Sequence, residues 1–367
     1  MTPARTLIAS GAVLFASPLA AQVQVNVLPA QPAIERSRCC HLLNFDFELV
    51  TTGTDTLVID AVQATLLGPQ GQVIGFRHVN RNGMVPSVAT LNAAIVTPGK
   101  VATLFNPFFS IDRAIPVASL RYSFRFRGPQ GVVEATTTVT PIRYETKTDL
   151  VLPVQGRVLV HDGHDFYSHH RRMDVSVLRG LGLAKRQFNR YAYDFSVVDS
   201  AGRLNRTGGE TNEDWFGYGT NVVAPGTGIV RVAENNVREH RLPGATWDDE
   251  AGIRNPRSIA GNYIVIDHEN GECSFLAHLK QGSLSVHVGD RVRRGQPIAR
   301  MGLSGDSFWL PHVHYQLMDS CDFQDAEGLP SYFSGFLRVG GAVEGLEQRG
   351  QIDTGDILLV RPYFKPQ

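Results

Sequence analysis

Between Gln22 and Arg143 the chain repeats one pattern, short runs in which apolar or β-branched residues recur at every second position, separated by turn-forming clusters. VQVNVL (23–28), LLNFDFELV (42–50), TLVIDAVQATLL (56–67), VATLFNPFF (101–109), LRYSFRF (120–126) and VVEATTTVTPI (132–142) all read as strands. GPQGQ at 68–72 and GPQG at 128–131 each separate two of these runs. With no sustained helical period, about seven strands in roughly 120 residues predict an antiparallel β-sandwich of immunoglobulin-like type. LVLPVQG (150–156) reads as a short strand or linker into a region of different character. The expected division is a leader over 1–21, a sandwich over 22–145 and a second domain over 146–367.

The second region is also strand-rich. RYAYDFSVVD (190–199) is a strand with Asp194 among apolar residues, and Pro225, Gly226 and Gly228 bend NVVAPGTGIVRVAE (221–234) sharply. NYIVIDHENGECSFLAHL (262–279) reads as a hairpin, with Asn270-Gly271 expected at its tight turn because both central residues need positive φ. Gly289, Gly295 and Gly302 punctuate further short strands. HDGHDFYSHHRRMD (161–174) looks too polar to be core.

A length of 367 residues allows two or three domains. Lys plus Arg and Asp plus Glu both number 35, and a zero net charge argues against a nucleic-acid binder. The N-terminus MTPARTLIASGAVLFASPLAAQ sets Arg5 before an apolar run from Leu7 to Phe15 and then small residues, the layout of a secretory signal peptide. Cleavage is expected near Ala20 or Ala21, although Pro18 or Leu19 then occupies the small-residue position. The run is shorter than the ~20 residues of a membrane span. An exported chain, secreted or periplasmic and with no integral membrane segment after cleavage, is the expectation. There the four cysteines, Cys39, Cys40, Cys273 and Cys321, can form disulfides, and none has the C-x-x-C spacing of a thiolate metal site.

Histidine is the residue that changes the picture. His161, His164, His169 and His170 crowd into ten residues, a third of the chain's twelve. In PHVHYQ (311–316), His312, His314 and Gln316 share one face of an extended chain, with the imidazoles roughly 6–7 Å apart. Such a stretch is either a half-buried strand with a wet face or part of a metal or catalytic site. His278 lies between apolar residues of a strand and needs a partner or a task. His41, His78 and His268 read as packed or solvated residues. Asp194 with strand-borne His278, His312 and His314 is the inventory of a hydrolytic zinc site, which needs three protein ligands, an open position and a proton-handling group.

In NVVAPGTGIV, GNYIVIDHENGECSFLAHLKQGSLSVHVGDRVRRGQPIARMGLSGDS and PHVHYQL the chain resembles the lysostaphin/LytM-type zinc endopeptidases, over roughly Arg157 to Asp319. The resemblance implies an antiparallel β-sheet peptidase domain over 146–367 with its core at 157–320. It also implies a Zn2+ cofactor, a peptidoglycan peptide or other peptide as substrate, His314 and Asp194 as zinc ligands, and His278 and His312 as catalytic groups. The family's first ligand is usually a histidine four residues before the aspartate, and here that position is Arg190, which cannot ligate zinc. HHRR (169–172) ahead of RYAYD (190–194) is similar to a subset of the family, which implies His170 as first ligand, with His169 next. His170 and Asp174 form a competing H-x-x-x-D register, and Asp194 is preferred for its apolar strand. The rival is a catalytically inactive binding or activator module of the same fold, which Arg190 keeps open.

If the strands carrying His278 and His314 converge antiparallel, five residues back from His278 to Cys273 and seven forward from His314 to Cys321 run in the same direction, about 17 and 23 Å. Both steps are odd, so both sulfurs are expected to leave the zinc-facing side, where they either pair or remain separate thiols. Cys39 and Cys40 are poor partners for each other.

Overall fold

The structure is a computed structural model that describes residues 22–361 apart from 38–39, 84–86, 243–254, 308 and 342–344. The expected leader and Cys39 lie outside the described residues. No helix among the described residues is long and apolar enough to cross a membrane. The chain is mainly β.

The N-terminal strands form three small sheets around one core. Asp46–Thr51 lies between Val23–Leu28 and Ala102–Phe105, while Ser119–Gly128 lies between Leu57–Leu67 and Gly131–Val139. Alternate residues of these strands, Phe45, Phe47, Leu49, Leu57, Ile59, Tyr122, Phe124 and Phe126, are buried together. In Ser119–Gly128 the period-2 pattern exists because one face packs inward and the other is wet, whereas both faces of Asp46–Thr51 are covered. A third sheet contains the only parallel pair among the described N-terminal strands, Ile142–Arg143 with Ala33–Arg36.

A long antiparallel sheet dominates the rest. Its central strands run, in spatial order, Asn262–Asp267, Cys273–Leu279, Val313–Met318, Tyr193–Val197 and Gly156–Asp162. Every residue of CSFLAHL and VHYQLM is buried, because both faces of the sheet are covered. Tyr193, Phe195, Leu276, Val313, Tyr315 and Leu317 pack on one side, and Phe275, Ala277, Met318 and Phe323 on the other. The polar face of PHVHYQ therefore meets protein rather than water.

Three local expectations are corrected. The hairpin joins Asp267 to Cys273 through a longer loop, and positive φ falls at Glu269 (59°) and Gly271 (86°) rather than at Asn270. The Asp267 and Asn270 side chains accept from the Glu269 and Glu272 amides, at 2.8 and 3.0 Å, and so cap the wider turn from within. Second, HDGHDFYSHHRRMD is not all surface: His164, Ser168, His170 and Arg171 are below a tenth exposed, whereas Asp165, Tyr167 and His169 are exposed. His164 and Arg171 are covered where Glu35 and Asp46 supply partners. Third, Cys273 and Cys321 are bridged, but the parity argument fails for Cys273. Ala277 pairs with His314 and Cys273 with Met318, so Cys273 shares the face of His314. His278 has φ 61°, which breaks the strand's alternation and brings its ring to that same side. Cys40 is also disulfide-bonded.

Candidate metal centre

Asp194 and His314 face each other across adjacent antiparallel strands, as their register requires. The strand ladder alone sets this juxtaposition. His314 Nδ1 lies 3.1 Å from Asp194 Oδ1. On the other side of the carboxylate stands His170, whose Nε2 is 3.5 Å from Asp194 Oδ2. His170 comes from the irregular 163–174 segment, and its ring meets that of His314 edge to face with centroids 4.9 Å apart.

Neighbouring groups fix which nitrogen each imidazole presents. His170 Nδ1 donates to the Gly163 carbonyl at 2.7 Å, which leaves Nε2 as a lone pair, buried and with no hydrogen-bond partner among the described residues. His314 Nε2 donates to Gln316 Oε1 at 2.7 Å, and the Gln316 amide is oriented by its own contact with the Met318 sulfur at 3.0 Å. That turns His314 Nδ1 toward Asp194. Two imidazole nitrogens and a carboxylate thus converge with their lone pairs inward. Such a cluster is electrostatically unfavourable unless a cation lies among them.

The donors fit zinc. Ligands of a tetrahedral zinc with bonds of about 2.0–2.1 Å stand about 3.3 Å apart, and here His314 Nδ1 lies 3.1 Å from Asp194 Oδ1 and His170 Nε2 3.5 Å from the other oxygen, Oδ2. Two imidazoles and a carboxylate are also the ligand chemistry of hydrolytic zinc sites that leave a fourth position open. Burial pushes His170 down to about 3, so the ring is neutral and ready to ligate near pH 7.

His278 and His312 line the same cavity of about 100 Å³, and His312 Nε2 stands 3.6 Å from Asp194 Oδ1. His278 Nδ1 donates to the Ser304 carbonyl at 2.9 Å and His312 Nδ1 to the Leu310 carbonyl at 3.1 Å. Each therefore presents Nε2 to the cavity, and burial pushes both down to about 4. One wall of the cavity is apolar, formed by Leu178, Leu183, Phe188, Ile259 and Phe323, and His169, Asn189 and Asp306 also line it.

The structure thus brings together His170, Asp194, His278, His312 and His314. Of the alternatives, Asp174 is engaged elsewhere, whereas His169 and Asp162 offer ligand atoms that lie, with those of His170 and Asp194, within 4.8 Å of one another. Asp174 caps the helix Val175–Gly180 and accepts from Thr103 Oγ1 at 2.7 Å. His169 pairs with Asp162 at 2.5 Å beside the cluster, its side chain more than half exposed. Arg190 is buried and paired with Asp46 and Glu327. His268 bonds the Thr227 carbonyl and Ser274 Oγ at 2.9 and 2.7 Å, a structural arrangement. Sequence reasoning missed Asp306, whose Oδ1 is 3.3 Å from His278 Nε2, and the orienting part of Gln316. Gln316 was visible as the third residue on the PHVHYQ face, whereas nothing in the local pattern marked Asp306.

Residues 214–326 match the model of peptidase family M23. The match contains His278, His312 and His314 and begins after His170 and Asp194. No curated protein matches the sequence. Among solved structures, the catalytic domain of the antimicrobial peptidase lysostaphin from Staphylococcus simulans is 21% identical over 37% of this chain and 73% of that one, with a TM-score of 0.24. A variant of the catalytic domain of the prophage-encoded M23 protein EnpA from Enterococcus faecalis is 22% identical over 31% and 74%, with a TM-score of 0.18. The deep-sea M23 metalloprotease pseudoalterin is 16% identical over 60% and 100%, with a TM-score of 0.28. Scores this low add nothing to the family match.

Proposed function

We propose that this chain, which carries a LytM-type domain of peptidase family M23, is a zinc metalloendopeptidase that hydrolyses peptide bonds, with peptidoglycan cross-links as the substrate class the resemblance implies. The observation that carries the reading is the convergence of His170 Nε2, Asp194 and His314 Nδ1 with lone pairs inward and no donor among them. These three would hold the zinc. When bound, zinc supplies Lewis acidity that makes water acidic enough to attack near neutral pH.

The protein's own groups do the rest. With Nδ1–H engaged by backbone carbonyls, neutral His278 and His312 can only accept at Nε2, so each is set to take a proton from the attacking water. Once protonated, the same Nε2 becomes a donor to the departing amine. Asp306 beside His278 favours that imidazolium. The apolar cavity wall excludes bulk water and strengthens these interactions. Export, in keeping with the leader-like N-terminus, belongs to the same proposal. The inactive-module alternative drew on Arg190, and it weakens because a histidine from another segment stands where the missing ligand is needed.

Elemental analysis of the purified protein tests the reading. About one zinc per chain is expected, lost in His314→Ala together with activity. His278→Ala is expected to keep the metal and lose turnover. Full zinc occupancy in His314→Ala would overturn the ligand set.

A further inference from the structure

The Asp194 strand is fixed by ladders on both sides, and the residues leading into it share one buried carboxylate from the N-terminal sheet with the segment that carries His170. Asp46, 1% exposed, divides its oxygens between two guanidiniums. Arg171, next to His170, donates from Nη1 to Asp46 Oδ1 at 2.6 Å and from Nη2 to the Phe45 carbonyl at 2.8 Å. Arg190, four residues before Asp194, donates from Nη1 to Asp46 Oδ2 at 2.7 Å and from Nε to Glu327. Asn44 Nδ2 reaches the Arg190 carbonyl at 2.6 Å.

The neighbours of His170 are tied to the same N-terminal region. His164 pairs with Glu35 at 2.8 Å, Asp174 accepts from Thr103, and Arg179 pairs with Glu48. The 163–174 stretch has no ladder of its own to define its path. Its conformation is set from outside. Burying two carboxylates with two guanidiniums is a poor way to gain stability, since all four must be desolvated. Planar guanidiniums do, however, fix position and angle through their forks. Arg190, at the position where the family usually has its first ligand, is part of this clamp.

We infer that Asp46 is a positioning residue of the metal centre: by holding Arg171 and Arg190 on one carboxylate it sets the distance between His170 and Asp194, so the N-terminal region is a working part of the site. This rests on the reading of His170 and Asp194 as zinc ligands.

The test uses the full-length chain and the variant Asp46→Asn, which keeps shape and removes charge. Near-UV circular dichroism of the metal-free protein follows the fold, chelator competition gives the zinc Kd, and the absorption spectrum of the cobalt(II)-substituted protein reports ligand geometry. A retained fold, a zinc Kd raised about 10- to 100-fold and an altered cobalt spectrum are expected. An unchanged Kd and cobalt spectrum would overturn the inference. Should Asp46→Asn not fold, Arg171→Lys takes its place, since it withdraws the Arg171 fork from the same carboxylate. A weaker Kd supports the inference there and an unchanged one overturns it. His170→Ala separates the two levels: zinc retained in that variant removes the ligand set and the inference with it. Zinc lost there but held normally by Asp46→Asn removes only the positioning role.

Discussion

Replacing both Cys273 and Cys321 with alanine should cost much stability and little metal affinity. The bridge spans 48 residues of sequence. In the chain-entropy relation a loop of that size removes about 14 cal/mol/K from the unfolded ensemble, or about 4 kcal/mol at 25 °C. For a cooperative unit of 150–250 residues that is a fall of about 8–16 °C in Tm. The site should persist, because the ladder from Cys273 opposite Met318 to Ala277 opposite His314 does not depend on the sulfurs. Guanidinium unfolding and chelator competition on the same preparations measure both quantities, with thiol-reduced wild type as a second comparison. A stability loss below about 1 kcal/mol would refute the entropic estimate. Loss of zinc at unchanged fold would refute the claim that the ladder suffices.

Burial lowers His164, but Glu35 outweighs it and raises the folded-state value above the usual one. The pair's contribution is then fully present below about pH 6.5 and lost as pH rises through the raised value. The stability gap between wild type and Glu35→Gln should be larger at about pH 6 than at about pH 9, and equal gaps would refute the assignment. Glu272 is fully buried and accepts from Tyr144 Oη, from the Lys147 and Thr148 amides at 2.8 Å, and from Thr148 Oγ1 at 2.6 Å. Glu272→Ala strands two backbone donors and should cost about 3–5 kcal/mol in denaturant unfolding; a loss below about 1 kcal/mol would show that the linker finds other partners. Gly302 bridges to His312 and donates its amide to the His278 carbonyl at 3.0 Å, and an added Cβ would stand 2.4 Å from Lys280 backbone. Gly302→Ala should cost about 1–3 kcal/mol and displace both cavity histidines, so full activity on a peptide substrate would count against their role.

The strand pattern was legible in the sequence wherever one face of a strand is wet, as in SLRYSFRFRG, whose burial alternates along its length. The chemical residues of the central strands were legible too, because Asp194, His278 and His314 are polar groups in otherwise apolar runs, where each needs a reason to be buried. Tertiary structure decided the rest. HDGHDFYSHHRRMD reads as surface because its composition is polar, yet His164 and Arg171 within it are buried against Glu35 and Asp46, more than sixty residues away. Parity along the His278 strand could not be read through, since a single positive φ at that residue exchanges the two faces. Local pattern records which residues can be inside; which of them meet depends on long-range pairing, and for His170 and Asp194 that pairing runs through a carboxylate in another sheet.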